Sequence, residues 1–83
     1  MFLEIVTPDE KVFEGEVLSA SFPGSDGSFQ ILNGHAPLVS TLGKGDIKYQ
    51  QDKKEEVHIM IDGGVVEVMF NKVNVLVEKI IDE

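Results

Sequence analysis

Val65-Val66-Glu67-Val68-Met69-Phe70-Asn71-Lys72-Val73-Asn74-Val75-Leu76-Val77 is the stretch that decides the fold. Val66, Val68 and Phe70 alternate with Val65, Glu67 and Met69, and Val73, Val75 and Val77 resume the period after Asn71-Lys72. A period of two sends successive side chains to opposite faces of a strand, whereas a helix needs 3.6. Branched Cβ atoms also fit a pleated surface better than a helix. The stretch predicts two strands joined by a turn at Asn71-Lys72.

The pattern continues upstream. Val57, Ile59 and Ile61 mark one face while His58, Met60 and Asp62 mark the other. Ile47-Lys48-Tyr49-Gln50 alternates, and Leu38 to Leu42 reads as a strand closed by a hairpin turn at Gly43-Lys44-Gly45. Phe29 and Ile31 alternate against Ser28 and Gln30, and Leu3 and Ile5 share a face near the start. Lys11-Val12-Phe13-Glu14 and Val17 to Phe22 are extended runs so close in sequence that they predict a hairpin. Thr7-Pro8-Asp9-Glu10, Gly24-Ser25-Asp26-Gly27 and Asn33-Gly34 carry turn chemistry. About nine short strands between such signals describe a sandwich or small barrel. Pieces of ten residues leave no room for βαβ crossovers. Only the tail from Val77 to Glu83 has helical character, and it is too short to hold alone.

Composition agrees. Eighty-three residues fit one domain over 1–83, and surface scaling lets roughly 63% of the unfolded area be buried. Val and Ile number 18 against 8 for Leu and Ala. Seven basic and 15 acidic residues give a net charge of −8, and every basic residue is a lysine. A chain without Arg at this charge is a poor match for nucleic acid, where cations must neutralise phosphates and Arg reads bases. No cysteine is present, which excludes disulfides, thiolate metal sites and a cysteine nucleophile. Apolar packing must carry the fold, as it can in an intracellular domain. No apolar run approaches ~20 residues and no secretory leader pattern occurs, so direct membrane insertion is not expected.

A search for chemistry finds no active site. There is no GxxxxGK[ST] loop, and the seven Ser and Thr residues include no Gly-x-Ser-x-Gly elbow. Two histidines are thin for zinc or catalysis. His58 lies on the polar face of its strand. His35, among Gly34, Ala36 and Pro37, either bonds backbone groups and fixes its loop or contacts a partner. The carboxylates are scattered, as on a solvated surface. What remains is apolar: Met60, Val65, Met69 and Leu76 lie opposite the core faces of their strands. Either they form a patch for another protein or strand twist buries them.

Ile5-Val6-Thr7-Pro8, Phe13-Glu14-Gly15 and Phe22-Pro23-Gly24-Ser25-Asp26-Gly27 together resemble the opening of the epsilon chain of F-type ATP synthases. Leu32-Asn33-Gly34-His35-Ala36-Pro37-Leu38 is the strongest match. Leu42-Gly43-Lys44-Gly45-Asp46-Ile47, then Ile61 to Val68, then Asn74-Val75-Leu76-Val77, follow in the family's order. The resemblance implies a β-sandwich of ten strands in two five-stranded sheets. It further implies a non-catalytic central-stalk subunit that docks on the gamma subunit and the c-subunit ring, coupling proton flow to ATP synthesis. Its place would be the cytoplasmic face of the bacterial inner membrane, held there through the complex. No cofactor and no nucleotide binding are expected. Partner contacts are expected at Ser25, Asp26, Gly27, Ser28, His35, Ala36, Pro37, Leu38 and Met60. Ser28 stands where an acidic residue is frequent in the family. The family's C-terminal helical hairpin, which carries its regulatory inhibition, has no counterpart in this sequence, so a subunit without that brake is expected. A stand-alone β-sandwich binding module is the rival reading, and a small hydrolase a third.

Overall fold

The computed structural model describes residues 1–81. It contains nine strands: β1 (Phe2–Val6), β2 (Lys11–Glu16), β3 (Ser19–Gly24), β4 (Gly27–Leu32), β5 (Leu38–Leu42), β6 (Gly45–Gln50), β7 (Val57–Ile61), β8 (Gly64–Met69) and β9 (Lys72–Val77). No helix occurs among the described residues. The all-β expectation holds, and the strand positions follow the alternation.

Hydrogen bonding runs β2-β1-β9-β8-β5-β3-β6-β7, with β4 attached to β3. β5 and β3 meet through one pair, Gly24 with Leu42. The result is a single curled sheet of nine strands in place of the expected ten in two separate sheets. Gly24 makes the junction possible, because a Cβ there would stand 2.8 Å from the Phe29 ring. β1 and β9 pair in parallel, which the whole intervening chain is long enough to allow.

Local turn rules failed at three places. β2 does not pair with β3; it pairs with β1. Between them Val17 donates its N–H to the Met1 carbonyl at 2.9 Å and Leu18 donates to the Gln50 carbonyl at 2.7 Å. Val17 is buried, so the chain crosses the core where a hairpin loop was expected. Gly43-Lys44 likewise links strands that are not neighbours, and the Gly43 N–H donates to the Pro23 carbonyl at 2.8 Å. The third case is the turn after β8. Met69 faces Lys72, so the two central residues are Phe70 and Asn71, one step earlier than expected. Both have positive φ, 51° and 61°, as the two-residue turn matching strand twist demands. Phe70 thereby leaves the alternation and is 92% exposed.

The tail is not helical as far as Ile81. Ile80 forms an isolated antiparallel bridge to Ile61, supported by Ile81 N–H to the Met60 carbonyl at 2.9 Å. The open edge of β7 offers ready partners, whereas one helical turn would satisfy almost none of its own groups. Asp82 and Glu83, the end of the expected helical tail, lie outside the described residues.

Inward residues of both halves form one core. Leu3, Ile5, Ile31, Ile47, Ile61, Val66, Val73 and Val77 are fully buried, and Phe22, Val68 and Val75 nearly so. Phe13 stacks on Tyr49 with ring centroids 4.2 Å apart. Burying each such side chain contributes about 1.5–3 kcal/mol. Val75→Ala should therefore lower stability by about 1–3 kcal/mol in urea unfolding, and Val39→Ala, at a position 67% exposed, by less than about 0.5 kcal/mol. Equal losses at both positions would contradict the packing.

Burial also pushes the Tyr49 phenol above its ordinary value of 10.0. The folded chain then keeps a proton that the unfolded chain has released. This contribution is complete below about pH 10 and is lost as pH rises beyond it. Wild type should lose more stability between pH 9 and 11 than Tyr49→Phe does. Parallel curves for the two would contradict it.

Candidate functional site

The residues singled out in the sequence fall in three separate places. Ser25 and Asp26 form the two-residue tip of the β3–β4 hairpin, closed by the pair Gly24 with Gly27. Ser25 N–H donates to the Thr41 carbonyl at 3.0 Å, and the Thr41 hydroxyl donates to Ser25 Oγ at 2.8 Å. That tip leans on the end of β5. Ser28 follows in β4, exposed.

His35, Ala36, Pro37 and Leu38 lie at the other end of β4, ~20 Å away for six residues of strand. Here Leu32 and His35 close a turn at 3.1 Å, and Gly34 takes φ 80°, a conformation open to a residue without Cβ. The Gly34 N–H donates to Asn71 Oδ1 at 2.9 Å, and Asn71 Nδ2 donates to Asn33 Oδ1 at 2.7 Å. The amino group of Met1 donates to the same Asn33 oxygen at 3.2 Å. One asparagine thus locks the β8–β9 turn to the bend before β5. His35 Nδ1 lies 2.7 Å from the Ala36 carbonyl, so with the proton on Nδ1 the ring bonds backbone while staying exposed. Leu38 is half-buried against the core. Met60 is half-buried on β7 opposite Asp46, remote in register from both loops.

The outward apolar residues of the deciding stretch do assemble, and they gain members that the sequence reading missed. Register places Val6 beside Leu76, Leu76 beside Val65, and Val65 beside Thr41. The next row runs Glu4, Asn74, Glu67, Val39. Together these rows floor an open groove of about 590 Å³ on the outer face of β1, β9, β8 and β5. Val39, Val65, Met69 and Leu76 are exposed. Val39 was missed because Leu38 to Leu42 shows no alternation that tells its faces apart, and Val6 because nothing local sets it beside Leu76. Only pairing to β9 and β8 reveals them.

The groove is flanked by carboxylates of unequal standing. Lys11 Nζ lies 3.3 Å from Glu4 and 3.2 Å from Glu14, and the hydrogen bonds it donates, to Glu14 first and Glu4 second, raise its pKa. Glu67 takes part in none of the ion pairs among the described residues. Elsewhere, His58 Nε2 contacts Glu56 at 2.9 Å on an exposed edge. Among the described residues no His, Asp and Glu cluster is arranged to hold a metal ion. The geometry is that of an open apolar sheet face edged by Glu4 and Glu67.

Residues 1–83 match the family model described as ATP synthase, Delta/Epsilon chain, beta-sandwich domain. The chain is 45% identical over 78 residues to the ATP synthase epsilon chain of Chlorobium limicola, covering 94% of this chain and 89% of that one. It is 41% identical to the epsilon chain of Chlorobaculum tepidum with the same coverage. Against the epsilon chain of Leptospira interrogans the identity is 38%, with 92% of this chain and 59% of the relative covered. Among solved structures, a chain of the Tetrahymena thermophila mitochondrial ATP synthase central stalk and c-ring superposes with a TM-score of 0.80 at 20% identity, over 98% of this chain and 65% of that one. A chain of the Euglena gracilis mitochondrial ATP synthase gives 0.88 at 21%, over 95% and 51%. At these identities the structures speak for the fold.

Proposed function

The chain belongs to the delta/epsilon β-sandwich domain family of ATP synthase, and on that premise we propose that it is a non-catalytic subunit of the central stalk. In this reading it docks on the gamma subunit and the c-subunit ring, and so couples proton translocation to ATP synthesis. It sits at the cytoplasmic face of the bacterial inner membrane as a peripheral part of the complex. It binds no nucleotide and needs no cofactor, since catalysis belongs to other chains.

The observation that carries the reading is the outer groove. An apolar row of Val6, Leu76 and Val65, with Val39 beside it, lies on the face turned away from a core that is already complete. Contiguous apolar surface of this kind marks a protein contact on an otherwise charged chain. The groove is assigned to gamma, because a rigid sheet face transmits torque better than a loop. The hairpin tip Ser25 to Ser28 is assigned to the c ring, where Ser28 supplies no charge. The bend from His35 to Leu38 is assigned to the assembled stalk. Pro37 holds Ala36 extended, and the Asn71 lock holds the bend against the neighbouring turn.

Affinity capture with the gamma subunit of the same complex tests the assignment. Leu76→Asp, at an exposed position, should lower retained gamma at least ~10-fold while leaving the unfolding midpoint nearly unchanged. Full retention by that variant would remove gamma from the groove. His35→Ala should weaken assembly of the stalk more than it weakens the isolated fold. Equal losses in the two assays would make His35 a purely structural residue.

A further inference from the structure

We propose that the groove accepts a partner segment in which apolar side chains are accompanied by a lysine or arginine, and that this cation pairs with Glu67. The inference rests on the docking reading above and adds the chemistry that the partner must bring.

Glu67 rises from β8 between Val65 and Met69 on the same face, with Val39 opposite on β5 and Asn74 opposite on β9. Cross-strand neighbours of this kind stand about 4.5–5.5 Å apart at Cβ, so a body resting on the valines also rests on the carboxylate. Glu4, the other carboxylate of that row, already shares Lys11 with Glu14. Glu67 shares no cation among the described residues; Lys72, a row away opposite Met69, forms no ion pair with it. Covering the groove with a wholly apolar surface would strip Glu67 of water and leave Asn74 as its one polar neighbour in the row. An isolated buried carboxylate is strongly disfavoured unless it is paired and hydrogen-bonded. The occupant must therefore supply donors at that spot. The net charge of −8 favours the approach of a cation over that of an anion. An arginine fork satisfies both carboxylate oxygens at once, so arginine fits best. Glu67 thus acts as the specificity residue of the face, admitting a basic apolar segment and rejecting a neutral or acidic one.

The probe is the gamma-containing catalytic head of the same ATP synthase, freed of this subunit and titrated with the full chain. Glu67→Gln should weaken binding at least ~10-fold, and Glu67→Lys more. Raising salt from 0.05 to 0.5 M should weaken wild type markedly and Glu67→Gln little, because the paired charge is gone. Thermal unfolding of each variant checks that these exposed substitutions leave the fold intact. If Leu76→Asp abolishes binding while Glu67→Gln binds as wild type with the same salt response, the cation inference is overturned and the docking reading stands. If Leu76→Asp also binds as wild type, the face is not the docking site and both readings fall.

Discussion

Everything in this molecule depends on one apolar layer that is filled from both sides by alternating strands. No charged side chain among the described residues is buried, Tyr49 brings the core its phenol, and the chain has no cysteine to staple it. The core therefore has no directional interaction to set its register. Shape and alternation do that work: a slip of one residue in β9 would send Val73, Val75 and Val77 to solvent and bring Asn74 and Leu76 inward. Because β9 is flanked by β1 and β8, its register also fixes theirs. The outer rows of the groove are consequently as well defined as the core they oppose.

That dependence explains which parts were legible in the sequence. Strand positions were, since period two is local and the Val and Ile runs state it plainly. Partners were not. Val17 looked like the opening of a second hairpin strand, yet it is a buried crossing residue whose N–H goes to the Met1 carbonyl, while that of Leu18 goes to the Gln50 carbonyl. Gly43-Lys44-Gly45 has good turn chemistry and still joins strands in different parts of the sheet. Turn residues report that the chain bends. They do not report whether it returns beside itself, because that choice is made by core packing across distant residues. The parallel pair of first and last strands is the extreme case, since no local signal couples Leu3 to Val73.

The same distinction governs the candidate site. Outward apolar residues at Val65, Met69 and Leu76 were readable from alternation alone. The assembly of Val65 and Leu76 into one groove with Val6 and Val39 was not, nor was the isolation of Glu67 among them. Isolation is a property of neighbours, and the neighbours of Glu67 come from β5 and β9. Conversely, the motif that best carried the family resemblance, Leu32 to Leu38, is held in place by a residue outside it. Asn71 bonds both Gly34 and Asn33 from a turn that the sequence placed one step late. A motif can thus be diagnostic of ancestry while its geometry is owed to a different segment.

The architecture joins the core and the outer groove in a single element. β9 sends Val73, Val75 and Val77 into the core and Asn74 and Leu76 into the outer face, so one set packs and the other floors the groove. A loop could have supplied the outer contact, but loops yield under load because few packed neighbours restrain them. A central strand cannot move without displacing the core beneath it. In the central-stalk role proposed above that property matters, since any give between subunits loses torque as deformation. With the apolar row on the enclosed strands of the sheet, a load on the proposed docking face passes directly into the core.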